Sequence, residues 1–177
     1  GTWNMDRYKI NLKDDAKPYH GRAYTIPKAH ETALMNEVNR LVKIGILRKV
    51  NHSQWGAPCF AIPKKDGTIR FISDFRELNK RVKRTPFLLP KIQDMLLKME
   101  GFQYATSLDL NMGCYHIKLD TNSRKLCTIV LPWIKYEYNA LPMGLCSSCD
   151  IFQEKMSEIL AGSFFPIVSL VFIIILQ

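Results

Sequence analysis

The sequence predicts an α+β fold, because apolar residues recur at helical spacing in some stretches and form short β-branched or alternating runs in others, in the order helix, hairpin, helix, strand, strands, helix, strand. Its 177 residues suit one domain with a sizeable core, and 47 % hydrophobic with 23 % charged residues excludes a disordered chain. No internal repeat or low-complexity tract is present.

Residues 1–28 are polar and punctuated by proline, which predicts an extended lead-in ending at Pro27. From Ala29 the spacing of Leu34, Val38, Leu41 and Val42 marks one face of a helix, and Gly45 is placed to stop it. Runs at 60–63 and 68–73 flank Lys64-Lys65-Asp66-Gly67, and Asp-Gly between such runs predicts a hairpin with two lysines at its turn. Pro90 opens a second helix carrying Ile92, Met95, Leu96 and Met99, closed by Gly101 and followed by a strand over 103–110. Residues 116–119 and 126–131 read as strands, with a turn near Pro132 leading into a further strand over 135–139. Ser147 and Asp150 have capping-box spacing ahead of a helical face made by Phe152, Met156, Ile159 and Leu160.

The net charge of +9 is unevenly placed: from Lys64 to Lys91 nine basic residues face three acidic ones, which puts two-thirds of the excess in one stretch. Such a concentrated positive surface attracts a phosphate backbone through counterion release. Five cysteines, an odd number with no secretory leader ahead of them, point to free thiols in a reducing intracellular compartment. Cys146 and Cys149 form C-x-x-C, but no second such pair or H-x3-H accompanies them, so two small, partly buried side chains at a helix start are expected rather than a zinc site. The eighteen residues 159–176 carry no charge, the minimum for a membrane span. Gly162, Ser163, Pro166 and Ser169 interrupt that run and no basic residues flank its end, so a buried strand is the expected reading.

Asp109 ends an otherwise apolar strand and is a poor residue to bury unpaired. It suits a hard-oxygen ligand for a divalent cation, although from this stretch alone a turn or cap aspartate before Asn111 and Gly113 is the default reading. The segments GILRKVNHSQWGAPCFAIPKKDGTIRFISDFRELNKR, FLLPKIQDMLLKMEG, YATSLDLNMGCYHIKL and LCTIVLPWIKYEYNALPMGLCSSCDIFQEKM decide between them. In order and spacing they resemble the reverse transcriptases of gypsy-type long-terminal-repeat retrotransposons, from about residue 8 to 160.

The resemblance implies part of a right-hand polymerase with an incomplete palm sheet: one truncated reverse transcriptase domain, residues 1–177, with fingers at about 1–83 and 117–147, palm at about 84–116 and 148–177, and no thumb, connection or ribonuclease H region. It implies two Mg²⁺ ions held by three aspartates, of which Asp109 matches the first, with the Leu110 carbonyl as a further ligand. Lys64 or Lys65 with Arg70 would clamp a deoxynucleoside triphosphate, Met143 and Gly144 of Leu-Pro-Met-Gly would line its pocket, and Cys114 stands where an aromatic residue usually blocks a ribose 2′-hydroxyl. The expected partners are an RNA or DNA template-primer and the nucleotide, with a full-length polymerase subunit as a further candidate. Taken without the resemblance, Lys64, Lys65 and Arg70 read as a solvated hairpin edge and residues 141–144 as a helix-entry turn.

Departures from the family pattern imply lost catalysis. The Tyr-x-Asp-Asp pair would fall at Ile174 and Ile175 by hydrophobic pattern, or at Val171 and Phe172 by direct counting, and the last acidic residue is Glu158. One carboxylate of three is not expected to assemble the two-ion site. Ile134 replaces the glycine of a Pro-Trp-Gly-Lys turn and would be strained at positive φ, and Cys149 replaces a helix-opening proline. A frame slip or decay of an element copy would account for these changes together. Two alternatives stay open: a non-catalytic nucleic-acid-binding remnant, and a protein anchored in a membrane by residues 159–176.

Overall fold

The computed structural model describes residues 3, 5–65, 67–87, 93, 97 and 110–161. The second helix of the sequence reading apart from Gln93 and Leu97, the strand over 103–109 and all but the first three residues of the apolar tail lie outside this set. Among the described residues no helix is long and apolar enough to cross a membrane.

Helix α1 (Lys28–Lys43) forms where the periodicity places it and buries Leu34, Val38 and Leu41. Val42, expected on that face, is 38 % exposed instead, because it lies at the edge of the apolar stripe. Glu31 in the first turn and Arg40 and Lys43 in the last complement the helix dipole. The helix ends in a Schellman motif: Ile46 N–H donates to the Leu41 carbonyl at 2.9 Å and Gly45 N–H to that of Val42 at 3.0 Å. Gly45 has φ +78°, the left-handed conformation that this motif needs and that a side chain would strain.

Five strands form one mixed sheet, β1 (Leu47–Val50), β2 (Ala57–Pro63), β3 (Ile69–Ser73), β4 (Thr128–Val130) and β5 (Lys135–Tyr138), in the order β1-β5-β4-β2-β3. All neighbours are antiparallel except β2 and β4, which run parallel with Ala57 opposite Ile129 and Pro58 opposite Val130. Strand β1 has no counterpart in the sequence reading; its Leu-Arg-Lys-Val is too short and too charged to show a period. Arg48 lies opposite Glu137, and its Nη2 donates to Glu137 Oε2 at 2.7 Å.

The expected strand over 116–119 is replaced by a 3-10 turn, Gly113–His116, and two isolated bridges, Lys118 to Ala140 and Tyr8 to Leu119. A short helix, α3 (Thr121–Leu126), follows, which no apolar periodicity announced. It is nucleated by Asp120, whose carboxylate accepts from Ser123 N–H at 2.8 Å, the standard N-cap bond. Ser123 Oγ in turn accepts from the buried Ile10 N–H at 2.7 Å, so the cap also anchors the lead-in. Ile134 does not sit at positive φ: Met112 is the one non-glycine with positive φ among the described residues, and the expected turn strain is absent.

The core gathers Leu34, Leu41, Leu47, Phe75, Leu119, Ile129 and Leu141, with Phe75 meeting Tyr138 edge-on at 6.0 Å. Tyr138 is fully buried yet satisfied, because its hydroxyl shares a 2.9 Å hydrogen bond with Ser73 Oγ. All five cysteines are free, and burial pushes the Cys59 thiol up to about 12. Cys146 and Cys149 are partly buried, one just before and one in the first turn of helix α4 (Ser148–Ala161). Asp150 does not serve the expected capping box. Its carboxylate, 2 % exposed, accepts from Arg84 Nε at 2.8 Å and from Phe87 N–H at 3.2 Å, because a buried charge is better served by a guanidinium than by a cap.

Helix α2 (Arg76–Asn79) is preceded by Asp74, which accepts from the Arg76 N–H at 3.2 Å and from Arg76 Nε and Nη2 at 2.8 and 2.6 Å. The Arg76 guanidinium, opposed by partial burial and helped by the Tyr24 hydroxyl, holds the Asp74 carboxyl far below the usual carboxylate range.

Two outcomes follow from these contacts. Replacing Asp120 by alanine lowers unfolding stability in urea by about 1 kcal/mol, whereas asparagine retains most of the cap. For Asp74, the depressed folded-state value means that its stabilising contribution is complete above the unfolded value of about 4, and is lost as pH falls from there through the folded value. Acid unfolding of Asp74→Asn, compared with wild type, lacks that component; identical acid limbs would refute the assignment.

Candidate nucleic-acid interface

The register of the β2–β3 hairpin decides which side chains share a face. Phe60 pairs with Ile72 and Ile62 with Arg70, so these four point one way, while Cys59, Ala61, Ile69, Phe71 and Ser73 point to the core. The outer face is therefore an aromatic and aliphatic strip with Arg70 toward the turn that carries Lys64 and Lys65. That turn is closed by Lys64 N–H donating to the Thr68 carbonyl at 2.8 Å.

The lead-in completes the face. Tyr24 lies tilted over Phe60 with ring centroids 6.2 Å apart, and its hydroxyl donates to Asp74 Oδ2 at 2.8 Å. Asp74 thus orients Tyr24 and Arg76 at once. The Asp74 side chain is 8 % exposed and that of Arg76 is 79 % exposed, so the carboxylate is spent internally while the guanidinium remains open to an anion. Sequence reasoning did not single out Tyr24, Phe60, Asp74 or Arg76 as site residues. The period-two pattern of Phe60, Ile62, Arg70 and Ile72 was a usable signal for the strip, but nothing local announces Tyr24, whose partner lies fifty residues away.

The loop at 141–144 is held against the opposite end of β3. Gly144 adopts φ +93°, a backbone conformation that requires glycine, although a Cβ there would meet the Ser73 carbonyl only at an ordinary contact distance of 3.5 Å. Asn79 clamps the loop, donating through Nδ2 to the Gly144 carbonyl at 3.0 Å and accepting from Cys146 N–H at 2.8 Å. Ser148 Oγ donates to the Pro142 carbonyl at 2.7 Å. Met143 and Gly144 are accordingly fixed at the base of the hairpin, with Lys64, Lys65 and Arg70 toward its tip.

Cys114 lies in the 3-10 turn and is 3 % exposed, its thiol pushed up to about 12 by burial. The turn is entered through Met112 at φ 55°, whose Sδ accepts from Arg40 Nη2 at 3.5 Å. Leu110 is described and 39 % exposed, whereas Asp109 lies outside the described residues. Among the described residues no three His, Cys, Asp or Glu side chains gather to hold a metal ion.

Comparison with known proteins agrees with this arrangement. Residues 62–163 match the family model for reverse transcriptase (RNA-dependent DNA polymerase). The chain is 29 % identical over 165 residues to the retrovirus-related Pol polyprotein from transposon 412 of Drosophila melanogaster, covering 90 % of this chain and 13 % of that one. It is 31 % identical over 153 residues to the transposon Tf2-3 polyprotein of Schizosaccharomyces pombe, covering 86 % and 11 %. The chain therefore spans little more than a tenth of these polyproteins. Among solved structures it is similar to the prototype foamy virus protease-reverse transcriptase CSH mutant, with TM-score 0.81, 25 % identity and coverage of 92 % and 22 %. The fold is also shared with the foamy viral protease-reverse transcriptase in complex with an RNA/DNA hybrid, at TM-score 0.78, 21 % identity and coverage of 96 % and 22 %. With the sheet, the family match and both transposon relatives in agreement, this chain belongs to the reverse transcriptase family, in its gypsy-type long-terminal-repeat retrotransposon branch.

Proposed function

We propose that these residues form the template- and nucleotide-facing front of a retrotransposon RNA-directed DNA polymerase, able to bind nucleic acid but unable to polymerise by themselves. The observation that carries the binding half is the outer hairpin face, where Arg70, Lys64 and Lys65 at one end and Arg76 at the other flank the Phe60 and Tyr24 rings. Cations engage phosphates and exposed ring faces stack on bases, the combination that single-stranded nucleic acid uses.

In this reading fingers comprise residues 1–83 and 117–147, and palm residues 84–116 and 148–177. The five strands of the described residues lie in the two fingers segments, and α4 opens the second palm segment. The Arg84–Asp150 pair ties the two palm segments together. Lys64, Lys65 and Arg70 meet the triphosphate, and the clamped Met143 and Gly144 shape the base end of the pocket. Cys114, small and buried, leaves the ribose side unguarded against a 2′-hydroxyl.

Reverse transcriptases use Mg²⁺. Among the described residues no cluster of carboxylates, thiols or imidazoles fits the ion. Asp109 and the Leu110 carbonyl are its proposed ligands, and residues 159–177 add no carboxylate. Two divalent cations beside one carboxylate repel each other without adequate compensation.

Two measurements test this reading. The purified 177-residue polypeptide extends no DNA primer on an RNA template with Mg²⁺ or Mn²⁺; extension that disappears in Asp109→Asn would overturn the inactive half. Oligonucleotide affinity falls on the order of a hundredfold between about 50 and 200 mM salt if about four phosphates are contacted, and each alanine at Lys64, Lys65 or Arg70 lowers the salt slope by about 1. Affinity independent of salt would sink the binding half.

A further inference from the structure

Beyond the hairpin face, a cleft of about 270 Å³ opens between the lead-in, α1 and the β4–β5 turn, lined by Tyr24, Thr25, Ile26, Glu31, Pro132 and Trp133. The turn that presents Trp133 is tight: Leu131 N–H donates to the Ile134 carbonyl at 2.9 Å and Ile134 N–H returns to that of Leu131 at 3.3 Å. Pro132 stiffens it further. Trp133 is 37 % exposed, unlike Trp55, which is buried, and Trp3, which is stacked between His116 and Phe152. A large ring held outward on a short hairpin at the mouth of a cleft has found no partner in the core, and a flat apolar ligand would give it one.

The chemistry around the cleft selects that ligand. Tyr24 is a wall of the cleft and also the last ring of the hairpin strip, so the two surfaces are continuous. Arg22 and Lys28, both exposed, flank the lining residues of the lead-in along the chain, so two cationic residues lie close in sequence to that wall. Glu31, an exposed residue, is the acid among the lining residues. It repels phosphate but accepts from an exocyclic amine or ring N–H, which sets the orientation: base inward, phosphates toward the rim. The volume lies just below the usual range for small-molecule sites, about 300–1,000 Å³, enough for a single base and far too little for a duplex.

We propose that this cleft receives one unpaired nucleobase of a single-stranded segment running on from the hairpin face, stacked against Trp133 with its phosphates on Arg22 and Lys28. The inference rests on the nucleic-acid reading above and extends it to a site no part of that reading assigns. It makes Trp133 a specificity-determining residue for single-stranded over blunt-ended substrates.

The test compares a blunt duplex with the same duplex bearing a 5′ single-stranded overhang of about eight nucleotides, the span that such surfaces hold. Wild-type chain binds the overhang substrate about tenfold more tightly, as one stacked base provides, and its tryptophan fluorescence is quenched by the overhang but not by the blunt duplex. Trp133→Ala removes both the advantage and the quenching while leaving blunt-duplex affinity unchanged, which also shows that the variant is folded; Trp133→Phe keeps most of the advantage. Salt-sensitive binding of the blunt duplex with no gain from the overhang, or a gain that survives Trp133→Ala, overturns the cleft alone. Binding of neither substrate at low salt removes the nucleic-acid reading and the cleft with it.

Discussion

The parallel pairing of β2 with β4 is the constraint on which the rest of the structure depends. Parallel neighbours require a long crossover, and here the chain leaves β2 at Pro63 and returns at Thr128. One sheet is thereby made from two distant segments, with the β2–β3 hairpin on one side of the junction and β5 and β1 on the other. Pro58 sits at the join, lacking an N–H for the ladder, yet its carbonyl accepts from Asp74 N–H at 2.9 Å. The same strand that joins the halves of the sheet therefore also fixes the residue that orients Arg76 and Tyr24.

What the sequence made legible divides along physical lines. Helix α1, its glycine stop and the Asp-Gly hairpin are built from local signals several residues long, and each appears where the pattern places it. Strand β1 and helix α3 escaped because they are short: four residues with Arg48 and Lys49 in the middle have no alternation, and six residues from Thr121 to Leu126 have no apolar period. Their existence is decided by partners, Glu137 across the sheet for one and the Asp120 cap with Ile10 behind it for the other. At 116–119 the alternation is real, but the 3-10 turn consumes His116, and only isolated bridges remain.

The site was legible in the same uneven way. Lys64, Lys65, Arg70, Met143 and Gly144 stand out because motif order and spacing carry them, and the structure adds how they are held: Gly144 by its backbone conformation, the loop by Asn79. The Tyr24–Asp74–Arg76 group depends on a contact between the lead-in and the hairpin that no local pattern encodes. Asp150 shows the reverse case, since its capping-box spacing is genuine, yet a buried carboxylate gains more from Arg84 than from a helix end.

The outer hairpin face also shows how charge and direction are traded. Asp74 cancels one positive charge and so weakens the long-range pull on phosphate, but it takes only the Nε and one Nη of Arg76, leaving the rest of the fork free at a fixed angle. A long, exposed side chain otherwise loses rotamer entropy each time it meets a ligand, and pre-ordering by a buried carboxylate removes part of that loss. Lys64 and Lys65 at the tip supply point charges that attract without direction. On the proposed reading, the surface would draw anions toward the turn and orient them near the rings. Every residue in this division of labour comes from the lead-in, the hairpin or the start of α2, a different stretch of chain from Asp109. On the proposed reading, loss of metal ligands would therefore leave this face intact, and binding and extension would be separable.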